Sequence, residues 1–549
     1  MHFSLFFIFL CSLTEAASCN YSAISLPLKD IQVIPDIENS YMRGIPVTVG
    51  TPAQNIVVLP WAELNNTWLY DYDSLCDSSI IFDDTICRVR RGNFFFENGS
   101  TTYEKGRNMV AVGAATVETA SYGAESGIAD LMTTSLAGSD IFSPGSTNLS
   151  EFPIGIPRKN WDHGYTILHA MGMGTNSTYL NSLVETGKIA SRVWSIFWGR
   201  MWIDQPLDGQ VVMGGYDQEK VIGQNYTQEL DYSEATGCWT GMKVTISDIE
   251  LVDRTGTTTS IFPPNFALPV CIVPQRQLLI EAPGSILDTF QNKTNTQTTG
   301  VSYGLHWLAQ LYDATNYFQG DLSIKLSSGL EVTIPNSQFM PPFVTIERNG
   351  SRVFNQSERE FLYGVTSDQP STLGRYFLTA AYLMVNHDEN TFTLWQANPS
   401  TATNLVPTIT KDTAESCANV TTNGTVVVNG TLTTEPGASD TAGASQPETD
   451  AKSDKQIGLS HGALAGIAVG VVLAVVILAG IAWSMLRKKK LKQEPRPAEV
   501  VYHQPPAFVP DSTFAGFHEV HGTQSKYEMD ASRRTYEYGH RDEPVQELP

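Results

Sequence analysis

The sequence predicts an all-β, two-lobed folded region, followed by one transmembrane helix and a disordered tail. Three observations carry this. Between residues 19 and 400, short β-branched and aromatic runs alternate with clusters of Gly, Asn, Asp and Pro. A single uncharged apolar stretch follows near the C-terminus, and the net negative charge lies entirely before it. Short runs separated by turn signals mean sheet. A folded region of about 380 residues also exceeds the ~250–300 over which one core grows, so two lobes are expected.

Taken in order, residues 1–17 read as a secretory signal peptide: an apolar run from Phe3 to Leu13, then small residues with cleavage near Ala16 or Ala17. Residues 18–400 form the folded domain, with lobes at about 40–205 and 206–400. Its clearest strand candidates are Ile45–Val49, Ile56–Leu59, Gln210–Met213, Met242–Ile246, Leu322–Ile324 and Thr391–Trp395, and Thr178–Thr186 is the best short helix. Residues 401–456 turn Ser/Thr-rich and lose their aromatics, as a solvated, O-glycosylated stalk does. Gly462–Leu486 is uncharged and exceeds the ~20 residues of a membrane span. Arg487, Lys488, Lys489 and Lys490 follow it, which places residues 487–549 in the cytoplasm. Gly462, Gly466 and Gly470 give GxxxG spacings, a candidate face for helix–helix self-association.

The chain has 549 residues, with 35 Lys+Arg against 57 Asp+Glu and a net charge of −22. Such acidity argues against nucleic acid as a partner, because phosphate binding needs clustered cations. The tail holds ten basic and ten acidic residues, so the whole excess lies before it. Sequons start at Asn20, Asn65, Asn98, Asn148, Asn176, Asn225, Asn292, Asn349, Asn355, Asn419, Asn423 and Asn429, all before the span. This one-sided placement predicts an extracellular or lumenal ectodomain on a plasma or secretory-pathway membrane. Cys11 leaves with the signal peptide. The six remaining cysteines suit an oxidising compartment, with Cys76–Cys87 and Cys238–Cys271 as local pairs and Cys19–Cys417 left by elimination. No HExxH, nucleophile elbow or P-loop occurs. His163 and His169, beside Asp162, lack an evident third metal ligand, so neither metal nor cofactor is expected.

Four segments resemble the pepsin-type aspartic peptidases, in that family's order. They are Val49-Gly50-Thr51-Pro52-Ala53-Gln54; Ala170-Met171-Gly172-Met173-Gly174, with Asn176 to Leu180 after it; Gly209 to Asp217; and Leu373-Gly374-Arg375-Tyr376-Phe377-Leu378, with Tyr382 to Val385 after it. The resemblance implies a two-lobed β fold with an interlobe cleft. It also implies two Asp-Thr/Ser-Gly turns whose facing carboxylates share one proton, one acting as base while the other acts as acid.

This chain departs from the pattern at both turns. Counted from Gly50-Thr51-Pro52, and checked by Trp68, the first turn falls on Trp61-Ala62-Glu63. Cys271-Ile272-Val273 before it, and Leu278, Leu279 and Pro283 after it, place the second on Pro274-Gln275-Arg276. Both catalytic aspartates are therefore replaced, by Trp61 and Pro274. Glu63 and Glu281 are the only carboxylates near enough to attempt a rescue, and loop carboxylates are the competing reading. Trp61, Arg276, Arg375 and Tyr122 of the flap-like Tyr122-Gly123 turn are candidates for contact with a ligand. The function expected is a cell-surface, single-span glycoprotein whose peptidase-like ectodomain binds a peptide or cell-wall ligand without cutting it. An active endopeptidase with displaced carboxylates and a cell-wall sensor or adhesin are the alternatives. The stalk and sequon density suit a walled-cell surface such as a fungal one.

Overall fold

The computed structural model describes residues 21–73, 76, 81, 83–119, 128–158, 168–366 and 370–410. The expected signal peptide, transmembrane helix and tail, the GxxxG glycines, Tyr122, Gly123, Asp162, His163, Cys19 and Cys417 lie outside these residues. No helix among the described residues is long and apolar enough to cross a membrane.

Each strand candidate lies within or overlaps an observed strand: Tyr41–Val49, Gln54–Trp61, Gly209–Met213, Lys243–Val252, Asp321–Leu326 and Thr391–Ala397. The short helix is Thr178–Glu185, where Ser177 Oγ accepts from the Leu180 N–H at 3.1 Å and so satisfies an open donor of the first turn. A longer helix, Gly284–Thr294, was not anticipated; its buried side is only Ile286, Leu287, Phe290 and Gln291, too narrow a stripe to stand out among Asp288, Asn292 and Lys293.

A 12-stranded sheet carries the first half and also takes in Val221–Glu229, Ala381–Asn386 and Thr391–Ala397 of the second. Its main path runs Val221–Glu229, Thr391–Ala397, Ala381–Asn386, Val193–Phe197, Gly209–Met213, Ile24–Gln32, Tyr41–Val49, Gln54–Trp61 and His169–Gly172. Val193–Phe197 and Gly209–Met213 are buried at every position, and the polar groups inside them are paired: Ser195 Oγ donates to Gly215 O and Gln210 Nε2 to Asp217 Oδ2. An 8-stranded sheet, including Lys243–Val252, Leu268–Ile272 and Ser371–Leu373, carries the second half.

The two sheets repeat one device. Gln54–Trp61 pairs antiparallel with Tyr41–Val49 and parallel with His169–Gly172, which sets Trp61 opposite Gly172. Likewise Leu268–Ile272 pairs antiparallel with Lys243–Val252 and parallel with Ser371–Leu373, which sets Ile272 opposite Leu373. Each half thus ends a strand in a tight turn beside a parallel return strand.

The expected domain end at residue 400 is too early. Leu405–Pro407 pairs with Gly215–Asp217, and the Thr408 N–H donates to Gly214 O at 2.8 Å. Backbone pairing therefore holds at least the first residues assigned to the stalk. The disulfides Cys76–Cys87 and Cys238–Cys271 are formed. Asn98, Asn148, Asn176, Asn225, Asn292, Asn349 and Asn355 are exposed. Asn65 is not: it is 1% exposed, its Nδ2 donates to Val117 O, and its Oδ1 accepts from the Asn176 N–H. That sequon is corrected, because the fold consumes the amide a glycan would need.

Candidate functional site

The two turns come together. Trp61, Ala62 and Glu63 are 2%, 3% and 3% exposed, and Gln275 of the second turn is 7% exposed. Gln275 Nε2 donates to Glu63 Oε1 at 3.1 Å across 212 residues of sequence. Close-packed backbone sets the position of each turn. The Met173 N–H donates to Trp61 O at 2.9 Å and the Gly174 N–H to Leu64 O at 2.8 Å, while the Val273 N–H donates to Leu373 O at 2.8 Å and the Gly374 N–H to Leu279 O at 2.9 Å. A Cβ on Gly172 would sit 2.4 Å from Asn66 O, and one on Gly374 would sit 2.2 Å from Leu278 O. Glycine is required at both because the turn backbone approaches so closely.

Arg375 follows Gly374 and grips the second turn. It is 3% exposed, its Nε donates to Arg276 O at 3.0 Å, and its Nη2 donates to Gln275 O. Its guanidinium lies 4.9 Å from the Trp198 ring centroid, and burial lowers its pKa to about 10. Arg375 thus supports the turn from within the protein. Arg276 is partly exposed, 3.8 Å from Glu281 and 5.9 Å from the Trp239 ring centroid. Glu281 Oε2 also accepts from Thr372 Oγ1 at 2.8 Å. The two rescue carboxylates therefore face different partners: Glu63 accepts from Gln275, and Glu281 lies against Arg276 and Thr372.

Behind the first turn lies a buried acid that sequence reading missed. Glu118 accepts from Asn66 Nδ2 at 2.7 Å, the Asn66 N–H at 3.2 Å and Trp68 Nε1 at 3.0 Å. Desolvation raises its pKa to about 7 in spite of these donors. The Trp68 that fixed the register therefore also anchors a carboxyl 50 residues away. A lone Glu after the small, apolar run Val110–Ala115 carries no local signal of such partners. His169 is a core residue: Nδ1 accepts from the Tyr70 N–H at 2.8 Å, so Nε2 carries the proton donated to Asn93 O at 2.9 Å. Burial holds its pKa down at about 3.

Chemically, what the described residues set across the two turns is the Glu63 carboxylate against the Gln275 amide. An amide has no proton to trade at ordinary pH, so this pair lacks the coupled titration of two facing acids.

A family model described as eukaryotic aspartyl protease matches residues 41–397. Among solved structures, the crystal structure of aspartic proteinase from Irpex lacteus is similar at 14% identity and a TM-score of 0.44, covering 69% of this chain and 99% of that one. No curated protein matches this chain.

Proposed function

The chain belongs to the eukaryotic aspartyl protease family, and from that premise we propose that this member binds an extended peptide without hydrolysing it. The observation that carries the reading is the Glu63–Gln275 hydrogen bond at the meeting of the two turns. Peptide hydrolysis in this fold needs one carboxylate to activate water while a second protonates the carbonyl. Here the turns supply Trp61, Pro274 and a single carboxylate held by an amide. Gln275 Oε1 is buried and meets no donor among the described residues. Strand-like pairing along the cleft is the mode in which such a scaffold holds peptide backbone. The placement of the protein as a single-span surface glycoprotein is part of the same proposal. It is supported by the apolar segments at 3–13 and 462–486 and by the exposed sequon asparagines.

The test is turnover of a mixture of quenched fluorescent peptides by the purified full-length chain, from pH 3 to 7, beside Glu63→Gln and Glu281→Gln. The expected result is no cleavage above that of the variants, with peptide retained in an equilibrium binding measurement. Cleavage by the natural chain that both substitutions abolish would overturn the reading.

A further inference from the structure

Next to the second turn, lined in part by Arg375 and Gln277, lies a small cavity of about 20 Å3. That is room for one water-sized occupant. Its polar lining comes from Arg43, Arg352, Arg375, His306, Tyr376 and Gln277; the rest is apolar, and no Asp or Glu among the described residues lines it. Three guanidinium groups around one small space is an unusual concentration of positive charge inside a protein whose net charge is −22.

The arginines are not equally compensated. Arg352 Nη1 donates to Asp30 Oδ1 at 2.8 Å. Arg43 spends Nε and Nη2 on Trp198 O and Leu207 O, and its Nη1 lies 3.7 Å from Asp30, beyond hydrogen-bond reach. Arg375 spends Nε and Nη2 on two backbone carbonyls and forms no ion pair among the described residues. The Nη1 groups of Arg43 and Arg375 thus have no hydrogen-bond acceptor among the described residues, and both side chains are about as buried as the core. His306 faces the same space but is engaged on both nitrogens, Nδ1 with Glu360 at 2.6 Å and Nε2 with the Tyr376 hydroxyl at 2.7 Å. Glu360 and Asp30 therefore stand behind the lining, each already held by a partner, and Asp208, exposed to solvent, also attracts Arg43 without a hydrogen bond to it.

Buried guanidinium groups with open donors are matched by anions, which they bind through short charge-assisted hydrogen bonds. We infer that this cavity is a binding site for a small monovalent inorganic anion of chloride size, held between Nη1 of Arg43 and Nη1 of Arg375. Because Arg375 also holds the carbonyls of Gln275 and Arg276, the anion steadies the turn that faces Glu63. The site differs from the peptide-binding floor in residues and in ligand chemistry, and it stands whether or not that proposal does.

Thermal unfolding of the purified full-length chain, at constant ionic strength, reads the site. Sodium chloride or bromide is exchanged against sodium gluconate, whose anion is too large for the cavity. The expected result is a saturable rise in midpoint of roughly 1–3 °C with either halide. That rise disappears in Arg375→Met. Should Arg375→Met fail to fold, Gln277→Glu serves: it carries its own carboxylate into the cavity and should flatten the halide response while keeping all three arginines. Crystals soaked in bromide should show an anomalous peak between the two Nη1 atoms. Equal midpoints in halide and gluconate, or a halide response that survives in Gln277→Glu, or no bromide peak there, would overturn the inference.

Discussion

At the scale of single residues, Glu118 shows how one buried carboxyl ties stability to pH. Its folded-state pKa is raised to about 7 from an ordinary 4.5, chiefly by burial, with hydrogen bonds from Trp68 and Asn66 opposing the shift. The folded state therefore binds a proton that the unfolded chain has released between those two values. A raised acid pKa contributes stability that is fully present below about pH 4.5 and lost as pH rises through about 7. At about 1.4 kcal/mol per pH unit, the loss amounts to about 3 kcal/mol. Urea unfolding of the natural chain from pH 4 to 8 should show that decline, and Glu118→Gln should remove the slope while lowering stability throughout, since its amide N–H would face the Asn66 amide. Asn65 teaches a related point. A sequon is a three-residue signal, whereas its burial depends on Val117 and Asn176, which no local reading includes.

At the scale of elements, six of the strands were legible because period and punctuation are local properties, whereas their order in the sheets was not. The glycines of the return strands were legible too, although their reason was not. Gly172 and Gly374 are needed because the turn backbone of each half passes within van der Waals distance of where a side chain would begin. Gly374→Ala places a methyl 2.2 Å from Leu278 O and 2.9 Å from Arg276 O, neither of which can yield without moving the second turn. Overpacking against side chains costs about 1–3 kcal/mol, and rigid backbone puts this case at the upper end or beyond. The expected outcome is a matching fall in the urea midpoint, together with loss of hydrogen-exchange protection at the Arg375 and Val273 amides that clasp the turn. Gly284→Ala is the control, since its Cβ would meet nothing closer than 3.5 Å. The replacements at Trp61 and Pro274 were readable for the same local reason, being a count from neighbouring motifs. The Glu63–Gln275 bond was not, because its partners are 212 residues apart and follow strands of two separate sheets.

At the scale of the whole domain, the halves are joined at more places than the two turns. Ser351 Oγ donates to Glu38 O at 2.6 Å, the Arg352 N–H donates to Asn39 O at 2.9 Å, and Arg352 Nη1 donates to Asp30 Oδ1 at 2.8 Å. Arg90 Nη1 donates to Gly304 O at 2.9 Å. Arg352 also lies within 6 Å of the ring centroids of Tyr41, Trp202 and Phe354, so its removal costs packing as well as charge. The strand Arg352–Phe361 is thereby fastened to the segment that joins Ile24–Gln32 to Tyr41–Val49. A double-mutant cycle on Asp30→Ala and Arg352→Ala should return a coupling of about 1.5 kcal/mol, the lower end of the range for a hydrogen bond to a charged group, since Asp30 is partly exposed. The single changes should be unequal. Asp30→Ala should cost more electrostatically, because Asp30 stands 3.7 Å from Arg43 as well, and losing it leaves Arg352 without this partner and Arg43 with only the weaker attraction of Asp208. If the cavity takes a halide, that extra cost should shrink in chloride and persist in gluconate, whereas the cost of Arg352→Ala, which removes a cation, should grow in chloride. Opposite salt responses from the two partners of one ion pair are what a shared anion predicts; parallel responses would mean that ordinary screening is at work.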